Sequence, residues 1–232
     1  MQKRSVVVTG AFGNLGAVLA HSFHASGAKV ALLDYAEPPK DLANEFGAPH
    51  CVLGGIDLTR MESAAVGMEA VRNTLGGIDV LVNIAGGFRW QNLAQGDLQG
   101  WDVMYAMNLK TAVVATKAAL PQILRASNGR IINIGAGAAA KTAAVGMGAY
   151  TASKAGVHKL TESLADELKD RNITVNAILP GIIDTPQNRV DMPTADFSRW
   201  VPPAAIAEVI LFLASEKAAA VTGALIPVFG RG

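Results

Sequence analysis

A tyrosine and a lysine stand four residues apart in Tyr150-Thr151-Ala152-Ser153-Lys154. On a helix that spacing puts both side chains on one face, one turn apart. A tyrosine hydroxyl ordinarily ionises near pH ~10, too high for ready proton exchange at neutral pH. An adjacent ammonium favours the phenolate and is expected to lower that value, which makes the pair a candidate general acid/base. Plain surface pairing produces the same spacing, so its meaning depends on the elements that position it.

Those elements alternate. Short apolar runs at 6–8, 30–33, 51–53, 80–82, 130–134, 174–179 and 225–228 have the composition of buried strands. Between them, helical spacing predicts helices over 14–26, 62–75, 101–124, 149–168 and 204–214. Val157, Leu160, Leu164 and Leu168 continue one buried face beyond Lys154. Continuous apolar strands alternating with helices indicate a parallel sheet covered on both faces, a doubly wound α/β domain. The chain of 232 residues is long enough for one such domain, and nothing marks a second.

Composition narrows the function classes. The formal net charge is +1 with no basic run, which argues against nucleic acid and anionic membrane surfaces as partners. No apolar stretch approaches the ~20 residues of a membrane span. The single Cys51 excludes an internal disulfide, and the start Met1-Gln2-Lys3-Arg4 leaves no room for a signal peptide before the first strand. The expectation is a compact protein of the reducing cytoplasm.

The turn after the first strand reads Thr9-Gly10-Ala11-Phe12-Gly13-Asn14-Leu15-Gly16. Glycines there let the backbone turn tightly and approach a pyrophosphate seated on the next helix N-terminus. Asp34 closes the second strand, about 20 residues on, where a carboxylate can accept from the ribose hydroxyls of NAD and repel a 2′-phosphate. No Lys or Arg lies between Gly10 and Gly16 or between Asp34 and Lys40, which favours NAD over NADP.

These residues resemble the short-chain dehydrogenase/reductase family over essentially the whole chain. Thr9 to Gly16 is similar to its glycine turn, with Asn14 at the usual middle glycine; Asn tolerates left-handed backbone, so the turn is expected to survive. Asn83-Ile84-Ala85-Gly86 resembles the family's Asn-Asn-Ala-Gly, and Asp57 its adenine-contacting residue. Asn108, in a helix that Pro121 is expected to bend or end, resembles its catalytic Asn. Tyr150 and Lys154 match its acid/base pair, and Pro180-Gly181-Ile182-Ile183-Asp184-Thr185 its nicotinamide loop. The resemblance implies a Rossmann-type sheet of about seven strands. It implies catalytic roles for Tyr150, Lys154 and Asn108, the last holding a relay water. It implies cofactor contacts from Gly10, Gly13, Asn14, Leu15, Gly16, Asp34, Asp57, Asn83, Ala85, Gly86, Tyr150, Lys154, Pro180, Gly181, Ile183 and Thr185. A homodimer or homotetramer is expected through helices 101–124 and 149–168.

One family residue is missing. The serine that normally follows the fifth strand is absent from Asn133-Ile134-Gly135-Ala136-Gly137-Ala138. Loss of one donor to a developing oxyanion costs on the order of 10²–10³ in rate in hydrolases. Thr142 or a water substitutes, or the substrate does not need that donor. The loop from Asp184 through Met192-Pro193 to Trp200, with Gly86-Gly87 and Gly146-Met147, resembles the dihydropteridine reductase subtype, which passes a hydride from NADH to a conjugated quinonoid pterin. The reading is an NADH-dependent reductase of a small acceptor. A 3-oxoacyl-thioester or ketone reductase of the same family is the alternative, and a non-catalytic NAD-binding redox sensor is the alternative of another class.

Other features stay in the background. His21 and His24 read as surface residues without an acidic or Cys partner, so no metal site is expected, and His158 reads as a helix-face residue. The Gly135–Ala149 stretch reads as an active-site wall. Phe88, Trp90, Phe197 and Trp200 are either rim core or the walls of a flat substrate site.

Overall fold

The computed structural model describes residues 1, 3–141 and 144–231. In chain order the elements are β1 (Ser5–Thr9), α1 (Asn14–Ala25), β2 (Lys29–Leu33), α2 (Lys40–Glu45), β3 (Cys51–Leu53), α3 (Met61–Leu75), β4 (Val80–Asn83) and α4 (Leu98–Tyr105). A π-turn over Ala106–Lys110 leads into α5 (Thr111–Ile123). There follow β5 (Gly129–Ile134), α6 (Gly137–Ala140), α7 (Gly148–Leu168), β6 (Ile173–Pro180), α8 (Pro186–Asp191), α9 (Pro203–Ala214) and β7 (Leu225–Val228).

The seven strands form one parallel sheet in the order β3-β2-β1-β4-β5-β6-β7. Alternate residues of each strand face opposite layers, as a pleated strand requires. Val6, Val8, Leu32 and Ile132 pack against Leu19 and Phe23 of α1 and Ile206 and Ile210 of α9. Val7, Leu33, Leu81 and Ile131 pack against Val71 of α3, Ala115 and Ala119 of α5 and Leu164 of α7. Because both faces are buried, the strands read as unbroken apolar runs. The strand order reverses between β1 and its neighbours β2 and β4, and open α/β sheets bind ligands at the carboxyl ends beside such a switch point.

Helix 101–124 is not one regular helix. It is interrupted by the π-turn at Ala106–Lys110, while Pro121 is accommodated inside the last turn of α5. The break therefore falls at Asn108 rather than at the proline. Single π-turns inside helices insert an extra residue and redirect one side chain.

Candidate active site

The β1–α1 turn is shaped by contacts that exclude side chains. Gly10 has φ +63°, and a Cβ there would lie 2.7 Å from the Ala85 backbone nitrogen. A Cβ on Gly16 would lie 2.6 Å from Ala11 Cα. Asn14 does not need left-handed backbone: Gly13 takes the extended N-cap position and Asn14 is the first residue of α1. Thr9 Oγ1 accepts from the amides of Ile84 (3.1 Å) and Ala85 (3.3 Å), tying the β4 loop to the end of β1. Sequence reasoning did not single Thr9 out, although it opens the motif.

A groove of about 820 Å³ runs over these strand ends. Gly10, Gly13, Asn14, Leu15, Gly16, Asp34, Asp57, Ala85 and Gly86 line it. Asp34 is fixed by two backbone amides: Phe12 donates to Oδ2 at 3.0 Å and Ala36 to Oδ1 at 3.1 Å. Asp57 Oδ1 accepts from the Thr59 hydroxyl at 2.7 Å and amide at 2.9 Å, and that hydroxyl chiefly holds its carboxyl below the usual range. A turn closed to a Cβ at Gly10 and Gly16, the start of α1 and the Asp34 carboxylate in one groove fit a dinucleotide.

Asn83 lies elsewhere. Its side chain is buried between strands and helices, donating to Thr116 Oγ1 (3.0 Å) and Asn133 Oδ1 (2.9 Å). Asn133 donates onward to Thr161 Oγ1 of α7. Asn83 thus ties the sheet to its helices and is no part of the groove wall. Pro180, Gly181, Ile183 and Thr185 also lie outside that wall, at the end of β6. Gly181 donates to Val228 O, Ile183 O accepts from Asn188 Nδ2, and Thr185 Oγ1 caps α8 by accepting from the Asn188 amide. The β6 loop is braced further by a bidentate Arg189–Asp184 pair at 2.7 and 2.8 Å.

Asn108 and Lys154 approach the groove at Gly86. Asn108, on the π-turn, accepts from the Gly87 amide at 2.9 Å and donates to Ser153 Oγ at 3.0 Å; Ser153 in turn donates to Tyr150 O. Its side chain thereby braces α7 against the β4 loop. Lys154 is buried, with Nζ donating to Ile134 O at 2.7 Å, and would lie 3.4 Å from a Cβ on Gly86. Burial lowers its pKa to about 8. Burial also raises Tyr150 to about 12. The lowering expected from Lys154 does not offset this: desolvation is what acts on the phenol, while the ammonium donates to the Ile134 carbonyl. Phe88 packs edge-on against Tyr150, ring centres 5.0 Å apart.

Residues 135–141 and 144–147 lie between β5 and α7. Trp90 Nε1 donates to Val145 O (3.0 Å) and the Gln91 amide to Gly146 O (2.8 Å), so the loops after β4 and β5 are latched together. No serine stands at the end of β5, where Ala136 is buried, and Thr142 lies outside the described residues. Phe88 and Trp90 are exposed, whereas Trp200 is core and Phe197 packs on it with the Arg189 guanidinium 4.9 Å above its ring. Only the first aromatic pair fits a substrate wall. His158 is buried, contrary to a bland helix-face reading, and His21 does have an acidic neighbour, Glu45, at 3.0 Å. Among the described residues no group of His, Cys, Asp or Glu is arranged to hold a metal. None of their helices is long and apolar enough to cross a membrane.

Comparison with known proteins agrees with this geometry. A family model described as short chain dehydrogenase matches residues 4–195. Nodulation protein G of Rhizobium meliloti is 35% identical over 239 residues, covering 98% of this chain and 96% of that protein. The 3-oxoacyl-[acyl-carrier-protein] reductase FabG of Aquifex aeolicus is 31% identical over 242 residues, covering 99% and 97%. A short-chain type dehydrogenase/reductase structure from Mycobacterium ulcerans superimposes with a TM-score of 0.90 at 27% identity, covering 100% of this chain and 90% of that one.

Proposed function

This chain belongs to the short-chain dehydrogenase/reductase family, an oxidoreductase family that uses a nicotinamide cofactor, and on that premise we propose that it transfers a hydride from NADH to a small conjugated, pterin-like acceptor, with Tyr150 as proton donor. The observation that carries this reading is a single groove lined by both Asp34 and Gly86, with the Lys154 ammonium 3.4 Å from where a Cβ on Gly86 would stand. The Gly10–Gly16 turn and the start of α1 would hold the pyrophosphate, and Asp34 the adenine ribose, its charge opposing a 2′-phosphate. The nicotinamide, when bound, supplies the hydride.

The chain's own residues supply the rest. A phenol at about 12 stays protonated at neutral pH, so Tyr150 carries the proton the reaction needs, although burial makes it hold that proton more tightly than a free phenol. Lys154, at about 8, is mostly cationic at pH 7 and can hold a ribose hydroxyl beside the Tyr150 site. Asn108 fixes the distance between α7 and the β4 loop. The bare end of β5 favours an acceptor that spreads incoming charge over several atoms and needs no dedicated hydroxyl on one oxygen. Phe88, exposed and beside Tyr150, offers a flat apolar wall. The protein is expected to work in the cytoplasm as a homodimer or homotetramer.

Likeness over nearly the full length to a 3-oxoacyl-[acyl-carrier-protein] reductase favours a second reading, reduction of a 3-oxoacyl thioester. NADH oxidation with quinonoid dihydropterin and with an acetoacetyl thioester separates the two. Faster turnover of the pterin supports the first reading, and faster turnover of the thioester replaces it with the second.

A further inference from the structure

His158 follows Lys154 by one turn on α7, on the same face, and is 4% exposed. It has no part in the mechanism above. Its Nε2 accepts the buried amide of Ala136 at 3.2 Å, while Lys154 Nζ donates to Ile134 O at 2.7 Å. Two neighbours on one helix face thus grip successive peptide groups at the same strand end, one as acceptor and one as donor. The imidazole also occupies the space of the missing side chain at 135. A Cβ on Gly135 would lie 2.5 Å from His158 Nε2 and 2.7 Å from its Cδ2. Gly137 is closed in the same way, by the Phe229 ring and by Pro180 O at 3.0 Å. The two glycines on either side of Ala136 are therefore the imprint of what packs behind them.

We propose that His158 is a positioning residue for Lys154: by accepting the Ala136 amide it fixes the 134–136 turn, and through the Ile134 carbonyl it sets where the Lys154 ammonium stands. An imidazole whose Nε2 accepts must carry its proton on Nδ1 and be neutral. Charging it removes the acceptor and sets a second cation one turn from Lys154. The charged groups that bear on it are Lys154, Lys159 and Glu162, all on α7; Gly135, Ala136 and Leu179 on its other side carry no charge. Burial first, then the Lys154 charge, hold its pKa below the ordinary histidine value. The grip therefore holds at neutral pH and is released only in acid.

The link to cofactor binding rests on the proposed role of Lys154, so the test reads the grip separately from the cofactor. His158→Gln keeps an acceptor at the reach of Nε2, and His158→Leu fills the site without one. Amide hydrogen exchange at Ala136 in the free protein reports the grip, and NADH titration reports its consequence. Expected are an Ala136 amide about tenfold less protected in His158→Leu than in wild type at pH 7, with His158→Gln restoring most of the protection. Wild-type protection should fall as the pH drops well below ~6.5, whereas His158→Gln should show no such fall. NADH affinity should follow the same order. Equal Ala136 protection in wild type and His158→Leu, or wild-type NADH affinity in His158→Leu, overturns the proposal. Failure of wild type to bind NADH at any pH contradicts the functional reading, while Ala136 exchange still decides the role of His158.

Discussion

Lys154→Met should stabilise the cofactor-free protein while abolishing its turnover. Burial lowers the Lys154 pKa from 10.5 to about 8, so below about pH 8 the fold carries the full penalty of a buried ammonium. At 1.36 kcal/mol per unit that penalty is about 3 kcal/mol. Methionine removes the charge at similar volume but forfeits the hydrogen bond to Ile134 O, worth about 1 kcal/mol in its neutral form. The net gain at pH 7 is about 2 kcal/mol, or roughly 4–8 °C in melting temperature for a chain of this size. The sign follows from linkage. Between about 8 and 10.5 the folded protein has released the proton and the unfolded chain keeps it, so wild-type stability rises with pH across that window. The advantage of Lys154→Met should be full at pH 7 and shrink to within about 1 kcal/mol by pH 9.5. Calorimetry of both proteins without NADH, which would itself stabilise the fold, makes the comparison. A variant that melts below wild type at pH 7, or a difference that does not change with pH, refutes the reasoning.

NADH should bind more tightly than NADPH, and Asp34→Ala should narrow the gap; equal affinities for wild type in cofactor titrations would remove Asp34 from the ribose site. Ala136→Ser should raise kcat/KM for an acetoacetyl thioester about tenfold or more and leave that for quinonoid dihydropterin unchanged or lower; the opposite order would reverse the account of the bare strand end. Leu98 and Tyr105 of α4 and Val113 of α5 are exposed, and light scattering at micromolar concentration should find a dimer or larger, with a monomer mass excluding the expected subunit contact.

The architecture was legible because strands buried on both faces carry unbroken apolar runs; β3 falls on the expected residues and β1, β2 and β4 within one or two of them. The placement of Gly10, Gly16 and Asp34 along one groove and of Tyr150 and Lys154 on one helix was also legible, since backbone reach and helical pitch act over a few residues. What the sequence hid depends on contacts between distant segments. Helical spacing brought Tyr150 and Lys154 to one face but could not reveal that Ile134 O, from β5, would take the ammonium. The π-turn at Asn108 leaves the apolar pattern intact, so the interruption was placed at Pro121. Asn83 ends a strand, and only the packed sheet decides that its side chain turns toward Thr116 and Asn133. The glycines at 135 and 137 carry no pattern of their own in the sequence, and only the packed His158 and Phe229 show why no side chain stands there.

The most direct test of the central claim is NADH oxidation by wild type and Tyr150→Phe with quinonoid dihydropterin as acceptor, with the NADH dissociation constant measured alongside. Removing only the phenolic hydroxyl should lower kcat about a hundredfold or more and leave NADH binding nearly intact. A Tyr150→Phe protein that retains near-normal kcat would contradict the assignment of Tyr150 as the proton donor.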